Sequence, residues 1–149
     1  MTEKIDVVKV LIQNDSGEFL MLKKSSGYGW MADKWEQPGG KIQDDEDRFE
    51  AAEREIKEET GLNSEDFRDL VRLEIEDDET VNCFVMFNNS FSGEIELEEE
   101  HQEYRWIDSK EALELNWHRN AAYILPVIEY LSDYLESEKD MVRESESKL

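Results

Sequence analysis

Residues 35–62 read WEQPGGKIQDDEDRFEAAEREIKEETGL, and their pattern organises the rest of the chain. Asp47, followed three residues later by Glu50, has the spacing of a capping box, and Gly61 supplies a stop signal. The sequence therefore predicts a helix from Asp47 to Thr60. At about 100° per residue, Phe49, Ala52 and Ile56 fall on one stripe suited to a core. Glu55, Glu58 and Glu59 gather on a neighbouring stripe, while Glu50, Glu53 and Lys57 turn to solvent. Like charges at these spacings repel, and neither Glu58 nor Glu59 has a basic residue at i+4. A hard divalent cation compensates such a row, since Mg²⁺ or Mn²⁺ takes carboxylate oxygens together with substrate phosphate. Ahead of the helix, Pro38-Gly39-Gly40-Lys41 lets the backbone approach a metal or phosphate closely, which a Cβ would hinder. Taken alone, a glutamate-rich helix is more often a solvated face than a site.

Upstream, VVKVLIQ alternates, with Val8, Val10 and Ile12 on one side and Lys9 and Gln13 on the other, which suits a half-buried strand. A turn at NDSGE, with Gly17 free to take positive φ, leads to a second strand, FLMLKK, so the two read as a hairpin. SSGYGWMADKW has no apolar period and reads as a surface loop. Downstream, LVRLEI, TVNCFVMF, GEIELE and EYRWI are short and rich in β-branched or aromatic residues, as strands of a mixed or antiparallel sheet are. SKEALEL reads as a short helix, and Ile128, Leu131 and Leu135 carry helical spacing after Pro126. The elements sum to an α+β fold, helices against a curved mixed sheet, in one domain over residues 1–136. Residues 137–149 are polar and unpatterned, an acidic tail expected to be disordered.

With 39 Asp plus Glu against 17 Lys plus Arg, a formal net charge of −22 argues against binding a nucleic-acid polymer, which needs a basic surface. Small anions remain open, because a bound cation reverses the local field. No apolar run approaches the roughly 20 residues that cross a bilayer, and Met1 to Val10 lacks the features of a signal peptide; the expectation is a cytoplasmic protein without membrane contact. Cys83, the only cysteine, reads as a small buried residue.

From Gly40 the chain runs through five residues to Glu46, seven more, and then Arg54-Glu55-Ile56-Lys57-Glu58-Glu59-Thr60-Gly61-Leu62. This resembles the complete Nudix box, and WMADKWEQPGGKI before it is similar to MutT-type nucleoside triphosphate pyrophosphohydrolases. The resemblance implies an α/β/α sandwich with a catalytic loop-helix, and hydrolysis of a nucleoside diphosphate linked to a further group under Mg²⁺ or Mn²⁺. It implies Glu55, Glu58, Glu59 and the Gly39 carbonyl as metal ligands, and Arg54 as the residue that orients the glutamates. Gly40, Glu46 and Gly61 become structural positions of the motif, and Glu58 also a catalytic one. MutT-like enzymes place one more glutamate before a late strand; EEEHQEYRWI offers Glu103 as the general base, with Glu100 next.

For substrate, Lys24 and Lys41 are candidates to reach phosphate, and Trp35, with Tyr28 and Trp30, to stack a nucleobase. Asn120 is a candidate for guanine recognition, although alignment on Pro126-Val127-Ile128 puts Ile124 there instead. His101 and His118 lack ligand spacing and read as surface or hydrogen-bonding residues. The favoured substrate is a (d)NTP, including oxidised forms such as 8-oxo-dGTP, cleaved to NMP and pyrophosphate by a monomer or homodimer. ADP-ribose, a nucleotide sugar or a dinucleoside polyphosphate is the alternative, although EDDET lacks the proline or nearby tyrosine that the first and last of these types show. A non-catalytic nucleotide-binding module is the alternative of another class, and the intact glutamates speak against it.

Overall fold

The computed structural model describes residues 4–27, 29, 32–76, 79–115, 117 and 125–128. Among the described residues nine strands and two helices follow in order, ahead of a further helical stretch at 125–128: β1 (Lys4–Ile12), β2 (Phe19–Lys24), β3 (Trp35–Glu36), β4 (Gly39–Lys41), α1 (Arg48–Thr60), β5 (Asn63–Ser64), β6 (Arg68–Glu76), β7 (Thr80–Asn88), β8 (Phe91–Ser92), β9 (His101–Ile107) and α2 (Ser109–Ala112). One four-stranded sheet has the order β4-β1-β7-β6, a second has β3-β2-β9, and β5 pairs with β8. The larger sheet is mixed: β1 runs parallel to β7, while β4 and β6 are antiparallel to their neighbours.

The helix α1 forms where its caps dictate. Asp47 accepts from the Glu50 amide while the Glu50 side chain accepts from the Asp47 amide, and Gly61 ends the helix at φ 77°. Against α1 lie Val8, Val10 and Ile12 of β1 with Leu20 and Leu22 of β2, packed on Ala51, Ala52 and Ile56. The opposite faces of the sheets carry a second core, in which Leu11, Phe19, Met21, Val85 and Ile107 meet Ala112, Trp117 and Ile128. Sheets between two helical layers make the α/β/α sandwich that the resemblance implied.

Several local expectations are corrected. Phe49 is 37% exposed, and Ala51 takes the buried position beside Ala52 and Ile56, so the core stripe is displaced around the helix. The second half of β1 is buried on both faces rather than one, because Val8, Val10 and Ile12 join the core against α1 while Leu11 joins the core on the opposite face. The turn at Gly17, φ 80°, closes only a Gln13–Phe19 bridge, after which β1 and β2 diverge into separate sheets instead of continuing as a hairpin. GEIELE is not a strand; Glu96 instead donates its amide to the Thr60 carbonyl at 2.8 Å, tying this segment to the end of α1. Residues 125–128 are helical, and the remainder of the expected last helix and the tail at 137–149 lie outside the described residues.

Truncating Ile56 to Ala is expected to cost about 2–5 kcal/mol in urea unfolding, as for a buried branched side chain, whereas Phe49→Ala is expected to stay within about 1 kcal/mol.

Candidate active site

The loop between β4 and α1 is clamped to the helix by one guanidinium. Arg54 donates to Glu46 through Nε at 3.0 Å and Nη2 at 2.6 Å, and through Nη2 to the Lys41 carbonyl at 3.0 Å. Its Nη1 lies 3.1 Å from both Glu55 and Glu58. Glu58 thus has a basic partner at i−4, a direction the i+4 search overlooked. These carboxylates hold Arg54 above its usual range, chiefly through the hydrogen bonds it donates to Glu46. Glu46 also accepts from the Gln43 amide at 2.9 Å, which closes the loop on itself.

The two glycines have separate reasons. At Gly39, φ is 147° and a Cβ would sit 2.0 Å from the Val8 carbonyl oxygen, so only glycine lets β4 lie against β1 here. The Gly39 amide donates to Glu59 Oε1 at 2.9 Å. At Gly40 a Cβ would meet Glu55 Oε1 at 2.5 Å, so the missing side chain is the space the carboxylate occupies.

Glu59 is buried, and three other elements deliver charge to it. Glu36 of β3 sits 3.7 Å from the Lys9 ammonium, 3.4 Å from that of Lys24 and 2.9 Å from His101 Nε2. His101 Nδ1 contacts Glu98 at 2.8 Å and lies 3.5 Å from Glu59. Lys24 also pairs with Glu100. Burial would raise the Glu36 carboxyl, but Lys9, the His101 hydrogen bond and Lys24 outweigh it and hold it far below the usual carboxylate range. Burial would likewise lower Lys9, yet Glu36 and Glu59 keep its ammonium above the ordinary value. For Glu59 burial prevails: with Glu36 and Glu55 adding repulsion, its carboxyl is pushed well above the usual range despite Lys9 and the Gly39 amide.

Ligand atoms of Glu59, Glu98, Glu100 and His101 all lie within 4.8 Å of one another. Glu98 Oε2 is buried without a hydrogen-bond partner among the described residues. An orphaned carboxylate oxygen beside two further carboxylates is a donor set that fits a hard divalent cation.

Residues 3–128 match the NUDIX domain family. This chain belongs to that family. Over 111 residues the Nudix hydrolase is 32% identical to bis(5'-nucleosyl)-tetraphosphatase (asymmetrical) of Mus musculus, spanning 70% of this chain and 73% of that protein. Over 113 residues it is 30% identical to nucleoside triphosphatase NudI of Escherichia coli, spanning 68% and 79%. A solved MutT protein from Methanosarcina mazei superposes with a TM-score of 0.74 at 31% identity, covering 91% of this chain and 96% of that one.

The expected site residues of this Nudix hydrolase do not all converge. Glu55 and Glu59 approach the glycine loop from α1, whereas Glu58 is exposed at the helix surface, held by Arg54. What Gly39 visibly contributes is its amide rather than its carbonyl. Glu103, expected as the base, lies outside the cluster, exposed on β9 and 3.7 Å from Lys23; Glu100, the second choice, is inside it. Lys24 is buried between Glu36 and Glu100 instead of reaching out for phosphate, while the Lys41 side chain is exposed. Trp35 is a core residue, 6% exposed, its ring flanked by Lys23 and Arg105, and so is not an open stacking platform. Asn120, His118, Tyr28 and Trp30 lie outside the described residues.

Sequence reading missed Lys9, Glu36 and Glu98 altogether; of the two roles expected of His101, surface or hydrogen-bonding, the structure shows the second, 3% exposed and in contact with Glu36 and Glu98. One signal was available: Lys9 interrupts the apolar run VVKVLI, and a lysine in a buried strand needs a buried acid.

Removing the acid at the centre should take a carboxylate partner from both Lys9 and Lys24, the latter keeping Glu100. Glu36→Gln is expected to cost about 3–5 kcal/mol at pH 7 by urea unfolding. Because the folded Glu36 carboxyl is depressed, this stabilisation is present above roughly pH 4.3 and fades only as pH falls through its low folded value. Glu59 has the opposite sign: its folded carboxyl is raised, so its contribution is intact below roughly pH 4.3 and is lost as pH climbs. Glu59→Gln should therefore match wild type near pH 4 and, without divalent cation, be more stable by about 0.5–2 kcal/mol at pH 7.

Proposed function

We propose that this Nudix hydrolase cleaves a nucleoside triphosphate to the monophosphate and pyrophosphate in the cytoplasm, with Mg²⁺ or Mn²⁺ as cofactor. The observation that carries the reading is the convergence of Glu59, Glu98, Glu100 and His101, with one unpartnered carboxylate oxygen, beside the end of the box helix. Glu59 and Glu98 would hold the cation, and the family resemblance adds Glu55, Glu58 and the Gly39 carbonyl. When bound, Mg²⁺ or Mn²⁺ supplies neutralisation of the phosphate oxygens and makes water more acidic.

The chain's own residues do the rest. Lys9 and Lys24 offset the acids from behind, so that the cluster is held together in the absence of substrate. Arg54 keeps Glu55 and Glu58 at the rim, already oriented to take part in holding a cation. We assign the proton-accepting role to Glu100, because it lies with Glu59 in the cluster and Glu103 does not. The exposed Lys41 ammonium is free to approach the phosphate tail. His101 bridges Glu36 to Glu98 and holds the β9 end of the site against β3.

A second reading, a dinucleoside tetraphosphate as substrate, is favoured by the similarity to the mouse tetraphosphatase. Incubation with canonical and oxidised (d)NTPs, dinucleoside polyphosphates, ADP-ribose and nucleotide sugars in ¹⁸O-labelled water, followed by mass spectrometry of the products, separates the readings by substrate and by the phosphorus attacked. Monophosphate plus pyrophosphate from a triphosphate is expected; no turnover of any member would defeat the hydrolase reading. In the same assay Glu100→Gln is expected to lower kcat by about 10²–10⁴-fold and Glu103→Gln by less than about threefold; the reverse order returns the base to Glu103.

A further inference from the structure

The four-stranded sheet ends in a long bare edge. The strand β6 has 9 residues, and the order β4-β1-β7-β6 leaves its outer side without a neighbouring strand among the described residues. Edge strands of this length are ordinarily short, covered or charged throughout, because unpaired amides and carbonyls template pairing with another chain. The other end of the sheet follows that rule: β4 is only 3 residues long and is packed by α1. The strand β6 is long and has no neighbouring strand on its outer side among the described residues; Arg68, Asp69, Arg72, Glu74 and Glu76 charge it, but with both signs, which deters a copy of itself less than it would an edge of one sign. Arg68 through Arg72 are exposed without a break, and Phe49, Leu70 and Val71 expose 37%, 36% and 37% of their surface beside it. Arg48, Asp69, Leu70, Val71, Arg72 and Phe84 line a shallow groove of about 450 Å³ along this edge.

A register irregularity between Asp69 and Val71 bends the start of the strand and leaves Val71–Glu76 as its regular part. That segment reads VRLEIE, with Val71, Leu73 and Ile75 on one face and Arg72, Glu74 and Glu76 on the other. Laid antiparallel against itself about Leu73, it matches on both faces. Val71 opposes Ile75 and Leu73 opposes Leu73, while each Arg72 opposes a Glu74. Shifting the axis to Arg72 sets two guanidiniums against each other, and shifting it to Glu74 sets two carboxylates. Among the described residues Arg72 has only the neutral Asn82 amide as hydrogen-bond partner, at 3.1 Å, so its charge is available to an acid of another chain. On a chain of formal net charge −22, an edge whose basic half faces its own acidic half is a local exception to general self-repulsion, which physiological salt screens beyond about 8 Å.

We propose that β6 is an interface for a second copy of this chain, paired antiparallel about Leu73, so that the two four-stranded sheets join across a two-fold axis. Interfaces built on one strand and a few flanking apolar side chains lie at the small end of the known range, where association is weak and reversible.

Sedimentation equilibrium of the full chain at physiological salt, with hydrogen exchange at low and high protein concentration, tests this. The expected result is reversible association from 17.6 kDa to twice that mass, with slowed exchange in the amides of 70–76 as concentration rises. Arg72→Glu and Glu74→Arg, each of which sets like charges opposite twice, should weaken the dimer about tenfold, and the double exchange R72E/E74R should restore it. Circular dichroism and turnover should be unchanged in all three variants, since neither residue belongs to the catalytic cluster. A chain that stays monomeric with fast exchange at 70–76 assigns the edge to some other partner and overturns the proposal. A dimer indifferent to the single exchanges, or one that the double exchange fails to restore, equally overturns it.

Discussion

Burying Glu59 at the seam between two sheets is the constraint around which the rest of the molecule is built. A carboxylate there cannot be left to water, and the nearby acids make its charge harder to hold. The fold answers with cations and donors drawn from elements far apart in sequence: Lys9 from β1, the Gly39 amide from β4 and His101 from β9, while Lys24 of β2 holds the neighbouring Glu36 and Glu100. None of them cancels the acid completely. The residual repulsion, with a carboxylate oxygen of Glu98 lacking any partner among the described residues, is stored where a divalent cation and a polyphosphate would relieve it.

Around this centre each position of the box has its own physical reason. Gly39 is required by the closeness of β1, Gly40 by the volume of a carboxylate, and Gly61 by a left-handed helix end. Glu46 and Arg54 form the clamp that lets an irregular loop behave as part of the helix. The motif is therefore less a catalytic list than a packing solution, with a few of its side chains left over for chemistry.

That distinction explains what could be read in advance. The helix, its two caps and most strands were legible because their signals are local: spacing, capping residues and alternation. The misreadings have non-local causes. Phe49 has the right period but lies in the first turn of α1 and stays 37% exposed, outside the core that Ala51, Ala52 and Ile56 join. The hairpin between β1 and β2 was plausible from its turn, and only the pairing of β1 with a strand some 70 residues later pulls the two apart. The box told which glutamates matter but not which partners they keep. Glu36, Glu98 and His101 sit in three segments whose meeting depends on how β9 lies beside β2 and β2 beside β3. A bulge between Lys23 and Lys24 brings Lys24 opposite His101 and into the acids, an offset that alternation alone does not reveal.

The segment joining β3 to β4 belongs to both sheets at once. Trp35 and Glu36 pair with β2, and four residues into the segment Gly39 begins to pair with β1, with the Pro38 carbonyl already accepting from the Val10 amide. This short splice crosses the seam where the acids meet, so neither sheet by itself retains a competent centre. Any folding intermediate that keeps one sheet ordered and lets the other loosen is thereby catalytically silent, and enzymatic rate becomes a gauge of whether the two halves are docked.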